Sequence, residues 1–305
     1  MTDIEMIKAL EVPTGKVDVV LDTDTYNEID DQFAVAYLLR SDEKLNCKAI
    51  YAAPFFNDKS TGPADGMEKS YNELMKILTL CEREDMKANV YRGSTSYLPD
   101  EKTFVESEAA RHLVKLASAY TRENPLYVVA IGAITNVASA ILMDKSIIDK
   151  IVVVWLGGHT LEWPNTREFN MFQDVAAARV VMLSKVPFVQ LPCMGCVSAF
   201  SISQPELEKY LVGKNPLADY LAKNTIAFEE RWQPGKPWAK PIWDVTAVAW
   251  LLNDNFRFMN ERVIRCPIPE YDDKYAFSAD NHFSKYIWYI KRNELFDDLF
   301  KKLTK

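Results

Sequence analysis

The sequence predicts an α/β fold, an open and mainly parallel sheet with helices on both faces. Three observations carry that expectation. Apolar runs at residues 17–21, 126–131 and 148–156, interrupted only by Asp18 and by Asp149-Lys150, lack polar alternation, as strands buried on both faces require. Between them lie stretches whose apolar residues recur three and four apart, the spacing of amphipathic helices. Polar clusters follow the carboxyl ends of these runs, where ligands gather in sheets of this kind.

The chain has 305 residues and a formal net charge of −7. That length is ample for a core, and the acidity excludes nucleic acid and anionic membranes as expected partners. No repeat, low-complexity tract or linker divides the chain, so one domain over residues 1–305 is expected. The N-terminal stretch carries acids and lacks the apolar core of a signal peptide. No apolar run reaches the ~18 residues that span a bilayer. Five scattered cysteines, an odd number, fit a reducing cytoplasm. Cys193 and Cys196 form a lone CxxC after a strand-like run and read as structural.

Taken in order, the first strand (17–21) leads into an acidic turn and a helix over 31–40, with Phe33, Ala34, Tyr37 and Leu38 on one side. A second strand, 48–53, ends near Asn57, and residues 58–66 read as a turn. Residues 67–81 form an amphipathic helix through Leu74, Ile77 and Leu78. A short strand at 89–91 and a helix over 106–120 follow. Strands at 126–131 and 148–156 flank a helix over 137–143, and Gly132 and Gly157-Gly158 close them. A helix over 174–183, a strand at 188–191 and helices over 206–211 and 218–231 come next. The Pro- and Trp-rich stretch 232–241 reads as a lid or pocket wall. A helix over 245–252, a short sheet extension and a charged terminal helix complete the chain.

The chemistry centres on residues 22–31. Asp22, Asp24, Glu28, Asp30 and Asp31 lie between two apolar segments. Two such charges in contact repel by roughly 4 kcal/mol at an effective dielectric near 20. A hard cation turns that repulsion into coordination, and this number of oxygens suits Ca²⁺ ahead of Mg²⁺. The ten glycines form no phosphate loop, the three histidines have no metal spacing, and no GxSxG elbow occurs. What remains is carboxylates and amides: Asp22, Asp24, Asp30, Asp31 and Asp244 for a metal, and Asn57, Glu168 and Asn170 for hydroxyls. That set suits attack by a metal-held water on a polyhydroxylated substrate.

LDTDTYNEIDDQFA (21–34), VVAIGAITNVA (128–138), VWLGG (154–158), REFNMFQDVAA (167–177) and IWDVTAVAWLL (242–252) run in order across most of the chain. In these segments it resembles the nucleoside hydrolases, both the inosine/uridine-preferring type and its purine-specific relatives. The resemblance implies a Rossmann-like open sheet, a homodimer or homotetramer, and hydrolysis of a ribonucleoside to base and ribose around one Ca²⁺ per subunit. It implies that Asp24 ligates calcium and takes the proton from water. Asp31, Asp244 and the backbone carbonyl of Thr135 would complete the protein ligands. Asp30, Asn57, Glu168 and Asn170 would bind ribose.

Three departures stand out. The family turn reads DxDxGxDD, but here two extra residues separate Asp24 from Asp30. A bulge that preserves the ligands, with Asn27 as an added ribose contact, is favoured over a changed metal shell that admits Glu28 or Asn27. The stretch before Glu168 is short, so the 5′-hydroxyl position has only Asn165 as a candidate. Trp243 replaces the histidine that protonates the leaving base in the inosine/uridine type. The purine-specific relatives also carry tryptophan there, which implies stacking on a purine. Trp232 and Trp238 read as loop packing.

Two other readings compete. The DxDxT beginning at Asp22 also resembles the haloacid-dehalogenase phosphatases with their Mg²⁺, but that leaves Asp30, Asp31, Glu168 and Asn170 without roles. A non-catalytic nucleoside- or sugar-binding protein on the same scaffold is the alternative from another class.

Overall fold

The computed structural model describes residues 1–305. Eight strands form the central sheet: β1 (Val17–Thr23), β2 (Leu45–Ala52), β3 (Val90–Arg92), β4 (Leu126–Ala130), β5 (Ile151–Leu156), β6 (Phe188–Leu191), β9 (Met259–Arg265) and β12 (Phe283–Ile290). Two small ribbons stand apart, β7 (Ser201–Ser203) with β8 (Ala239–Pro241), and β10 (Ile268–Pro269) with β11 (Tyr275–Ala276). The sheet runs β3-β2-β1-β4-β5-β6-β12-β9. Every neighbour is parallel except β12 with β9. β1 is therefore central, and its carboxyl end lies between those of β2 and β4. The expected fold is the observed one.

The helices are α1 (Asp3–Ala9), α2 (Asp30–Leu39), α3 (Pro63–Leu80), α4 (Glu108–Ala117), α5 (Thr135–Met143), α6 (Phe169–Gln173), α7 (Val175–Leu183), α8 (Gln204–Tyr210), α9 (Pro216–Trp232), α10 (Val245–Trp250) and α11 (Arg292–Leu303). Successive strand residues face opposite sides, and two cores result. Leu21, Val129, Val154 and Leu191 pack with α2, α3, α10 and α11. Val20, Val128, Val153 and Phe188 pack with α4, α5 and α7 on the other side.

Several elements differ from expectation, each for a local reason. Helix α3 opens at Pro63, inside a segment that reads as a turn; proline suits the first helical position because that N–H has no helical partner. Residues Lys145–Ile147 form a 3-10 turn, which delays β5 to Ile151. The stretch 232–241 is not loop throughout, since β8 pairs with β7. Helix α2 is buried on all sides rather than one, because α10, α3 and α11 enclose it against the sheet. Its N-terminus, with Asp30 and Asp31, is thus brought inside the protein.

The strand ends need close backbone approach. At Gly66 of α3 an added Cβ would lie 2.0 Å from the Phe55 carbonyl oxygen. That contact seats α3 on the segment after β2 that carries Asn57. Gly66→Ala is expected to cost about 1–3 kcal/mol through overpacking, read as a lower thermal midpoint. An unchanged midpoint would show that α3 tolerates the shift.

Candidate active site

The acidic turn links β1 to α2. Asp30 and Asp31 occupy the first turn of α2, where exposed N–H groups and the helix dipole favour negative charge. The Thr23 hydroxyl donates to Asp31 Oδ1 at 2.5 Å, and the Asn27 N–H to the Asp24 carbonyl at 2.6 Å. Asp244 precedes α10, and its N–H donates to Asp30 Oδ2 at 3.3 Å. Carboxylate oxygens of Asp30, Asp31 and Asp244 come within 4.8 Å of one another, all three buried. Gly132 after β4 passes close by, where a Cβ would lie 3.2 Å from Asp24 Cγ.

These residues line a cavity of about 200 Å³ together with Asp24, Asn27, Glu28, Glu168, Asn170 and Trp243. Glu168 accepts from the N–H groups of Gly158, Asn170 and Met171, each at 2.9 Å, and so caps α6. Asn170 Nδ2 donates to the carbonyls of Ile131 (3.2 Å) and Leu156 (3.0 Å), tying together the ends of β4 and β5. Trp243 Nε1 donates to Ser198 Oγ at 3.2 Å.

Burial and mutual repulsion set the electrostatics. Asp24, Asp31 and Asp244 are pushed well above the usual carboxylate range, first by burial and then by neighbouring acids. Asp30 rises to about 6 through burial, an effect opposed by the Lys240 ammonium. Burial also raises Glu168 to about 7 against its three N–H donors. Asp24 Oδ2 is buried with no hydrogen-bond partner. A crowded, hard-oxygen donor set with an unpartnered carboxylate oxygen fits a divalent cation.

Asp24, Asn27, Asp30, Asp31, Glu168, Asn170, Trp243 and Asp244 are thus brought together on one cavity, while the other expected site residues are not among its lining. Asn57 Nδ2 donates to Asn27 Oδ1 at 2.7 Å, and its own Oδ1 accepts from the Lys59 N–H at 2.9 Å, so it holds Asn27. Thr135 opens α5 with its hydroxyl turned to Asp174 Oδ2 at 2.6 Å, leaving its main-chain carbonyl as the group it could offer. Asp22 also lies outside the lining. It is pushed up to about 7 by burial and accepts from Asn136 Nδ2 at 2.7 Å, which holds β1 to α5. Asn165 Oδ1 accepts from the Arg167 N–H at 3.0 Å, so that side chain turns back on its own loop. Trp232 is exposed and Trp238 packs on the core.

His159, Arg167, Cys193 and Met194 also line the cavity. His159 has a sequence signal in its place after Gly157-Gly158, Arg167 opens the segment 167–177, and Cys193 and Met194 fall in the lone CxxC. Its Nδ1 accepts from the Met194 N–H at 3.2 Å, and burial lowers its pKa, which favours the neutral ring. Cys193 and Cys196 are free thiols, both pushed up by burial.

A buried acid cavity at the carboxyl edge of an open parallel sheet lies where α/β proteins of this architecture bind their ligands. Residues 19–275 match the family model described as inosine-uridine preferring nucleoside hydrolase, and the chain belongs to that family. It is accordingly an N-ribosyl hydrolase. A relative, the pyrimidine-specific ribonucleoside hydrolase RihA of Escherichia coli O1:K1 / APEC, is 25% identical over 258 residues, spanning 77% of this chain and 79% of that protein. The fold is similar to that of a plant nucleoside hydrolase, PpNRh1, with a TM-score of 0.74, 18% identity and coverage of 94% of this chain and 99% of that one. The purine-preferring ribonucleoside hydrolase of Gardnerella vaginalis has a TM-score of 0.73 at 16% identity, covering 94% and 98%.

The raised carboxylates carry a pH signature. Asp22 and Glu168 bind a proton more tightly folded than unfolded, so each contributes stability at low pH that is lost as pH rises to about 7. In chelator-treated protein the thermal midpoint should fall between about pH 4 and pH 7, and Glu168→Gln should flatten that fall. A midpoint that rises across the window would contradict the burial of these acids.

Proposed function

We propose that the chain, as a single catalytic domain over residues 1–305, cleaves the N-glycosidic bond of ribonucleosides, purine ahead of pyrimidine. The observation that carries this is the cavity itself, with buried carboxylates crowded at one end and the half-buried Trp243 beside Asp244. Asp24, Asp31, Asp244 and the Thr135 carbonyl would hold Ca²⁺, one per subunit, and the packing supports Asp30 as a further neighbour. When bound, such a cation offsets the acids and lowers the pKa of water.

The chain's own groups then divide the work. Asp24, with a free buried oxygen, accepts the proton from the attacking water. Asp30, Asn27 and Asn170 accept or donate to ribose hydroxyls, with Asn57 holding Asn27. Glu168 spends its carboxylate on three N–H groups, and from the cavity wall it meets the sugar as a fixed anion. Surrounding carboxylates stabilise the positive charge that develops on the sugar as the bond breaks. The leaving base lies against the Trp243 ring, and stacking of this sort contributes roughly 1–3 kcal/mol per base.

The resemblance supports a homodimer or homotetramer, and the free cysteines support a reducing cytoplasm. No helix is long and apolar enough to cross a membrane.

Inosine, adenosine, guanosine, uridine and cytidine assayed for free ribose test the substrate reading. Purines should be the better substrates; uridine ahead of every purine would overturn the stacking role of Trp243. Asp24→Ala should lower kcat by about 10²–10⁴-fold or more. Activity retained in that variant would remove Asp24 as the base.

A further inference from the structure

Glu28 has no part in the chemistry above and Lys240 enters it only through its charge near Asp30, yet the two form an ion pair at the cavity wall. Lys240 sits in β8, opposite Ile202 of β7, and is only 4% exposed. Its ammonium donates to Glu28 Oε2 and lies 4.4 Å from the centroid of the Trp243 ring and 5.4 Å from that of Phe228. A buried ammonium is costly unless paired, so its partners are held where they are. Trp243 lines the cavity while Lys240 does not, so the ammonium supports the indole from outside.

Glu28 belongs to the lengthened turn. Its side chain is 36% exposed and lines the cavity. Oε2 is taken by Lys240, and Oε1 has no donor in the protein. Outside the lining, Ser198 Oγ accepts from Trp243 Nε1 and meets Met194 Sδ, both at 3.2 Å, which ties these two lining residues together. Trp243, Met194 and Glu28 thus line the same cavity, and the shared Lys240 ammonium keeps the Glu28 carboxylate beside the Trp243 ring. Whatever ring lies on Trp243 presents an edge to Glu28. An edge with N–H donors gains a charge-assisted hydrogen bond, whereas an edge of lone pairs meets a like partial charge and is rejected.

We infer that Glu28 is a specificity-determining residue that accepts a hydrogen bond from an N–H on the outer edge of the leaving base, and that Lys240 is its positioning residue. The ligand class is a nucleoside whose base carries an amide-type ring N–H or an exocyclic amino group. This rests on the reading of the cavity as the nucleoside site.

The test compares inosine with purine riboside, which lacks the N–H, and with 1-methylinosine, in which it is blocked. Wild type should favour inosine by about tenfold or more in kcat/KM, the scale of one hydrogen bond to a partly exposed charge. Glu28→Ala should bring that ratio toward one, and Glu28→Gln, which keeps a neutral acceptor, should retain part of it. Lys240→Met should lower the ratio through a higher KM for inosine, with kcat much less affected. Thermal midpoints confirm folding, and Glu28→Gln and Lys240→Met carry the test if Glu28→Ala does not fold. A wild-type ratio near one, a ratio unchanged by the variants, or an equal loss on all three nucleosides overturns the assignment. If wild type released ribose from none of them, the reaction would fail separately, and calorimetric dissociation constants for the three nucleosides would decide the role of Glu28 by the same ratio.

Discussion

Repulsion among buried carboxylates is the constraint on which the rest of the site depends. Asp24, Asp30, Asp31 and Asp244 cannot all be ionised in a closed interior without compensation. The protein supplies part of it. The N-terminal turn of α2 meets Asp30 and Asp31, Thr23 donates to Asp31, and the Asp244 N–H donates to Asp30. Asp24 Oδ2 is left without a donor. Compensation is thus unfinished in the protein alone, as expected where a cation supplies the remainder.

Hydrogen bonds tie the surrounding structure to the strand ends that carry the site. Asn136 anchors Asp22 under the site and also accepts from the Ser94 N–H and hydroxyl, at 2.7 and 2.9 Å. Glu168 and Asn170 tie α6 to the ends of β4 and β5. Each link fixes a strand end rather than a loop tip, and sites built on regular elements hold their geometry better than sites on loops. Lys240 adds a further device, one buried charge that restrains both the lengthened turn and Trp243.

Much of this was legible in the sequence. Runs of apolar residues at 126–130 and 151–156 could only be strands covered on both faces, and the glycines after them marked close turns. Five carboxylates in ten residues announced a site because local charge density needs no folding to be seen. Other features were hidden. Asn57 reads as a hydroxyl-binding amide, and nothing in the sequence shows its bonds to Asn27 and the Lys59 N–H, which join the lengthened turn to the segment after β2. Arg167 opens the segment 167–177 and Met194 lies inside the CxxC, but neither pattern shows that the path of their loops brings them to the cavity.

The sequence by itself determined the parallel sheet, the acidic turn at its carboxyl edge and membership in a nucleoside hydrolase lineage. Periodicity, composition and ordered motifs are properties of neighbouring residues and survive without coordinates. The ordered motifs already grouped Asp24, Asp31 and Asp244, whereas tertiary structure alone decided that the Asp244 N–H meets Asp30 from 214 positions away and that Glu28 is paired with Lys240 across 212. Those pairings follow from how the sheet and its two helical layers close over β1, and no local pattern encodes them. The acidic turn is therefore readable as a site from its residues, but its division into cavity, support and counter-charge belongs to the fold.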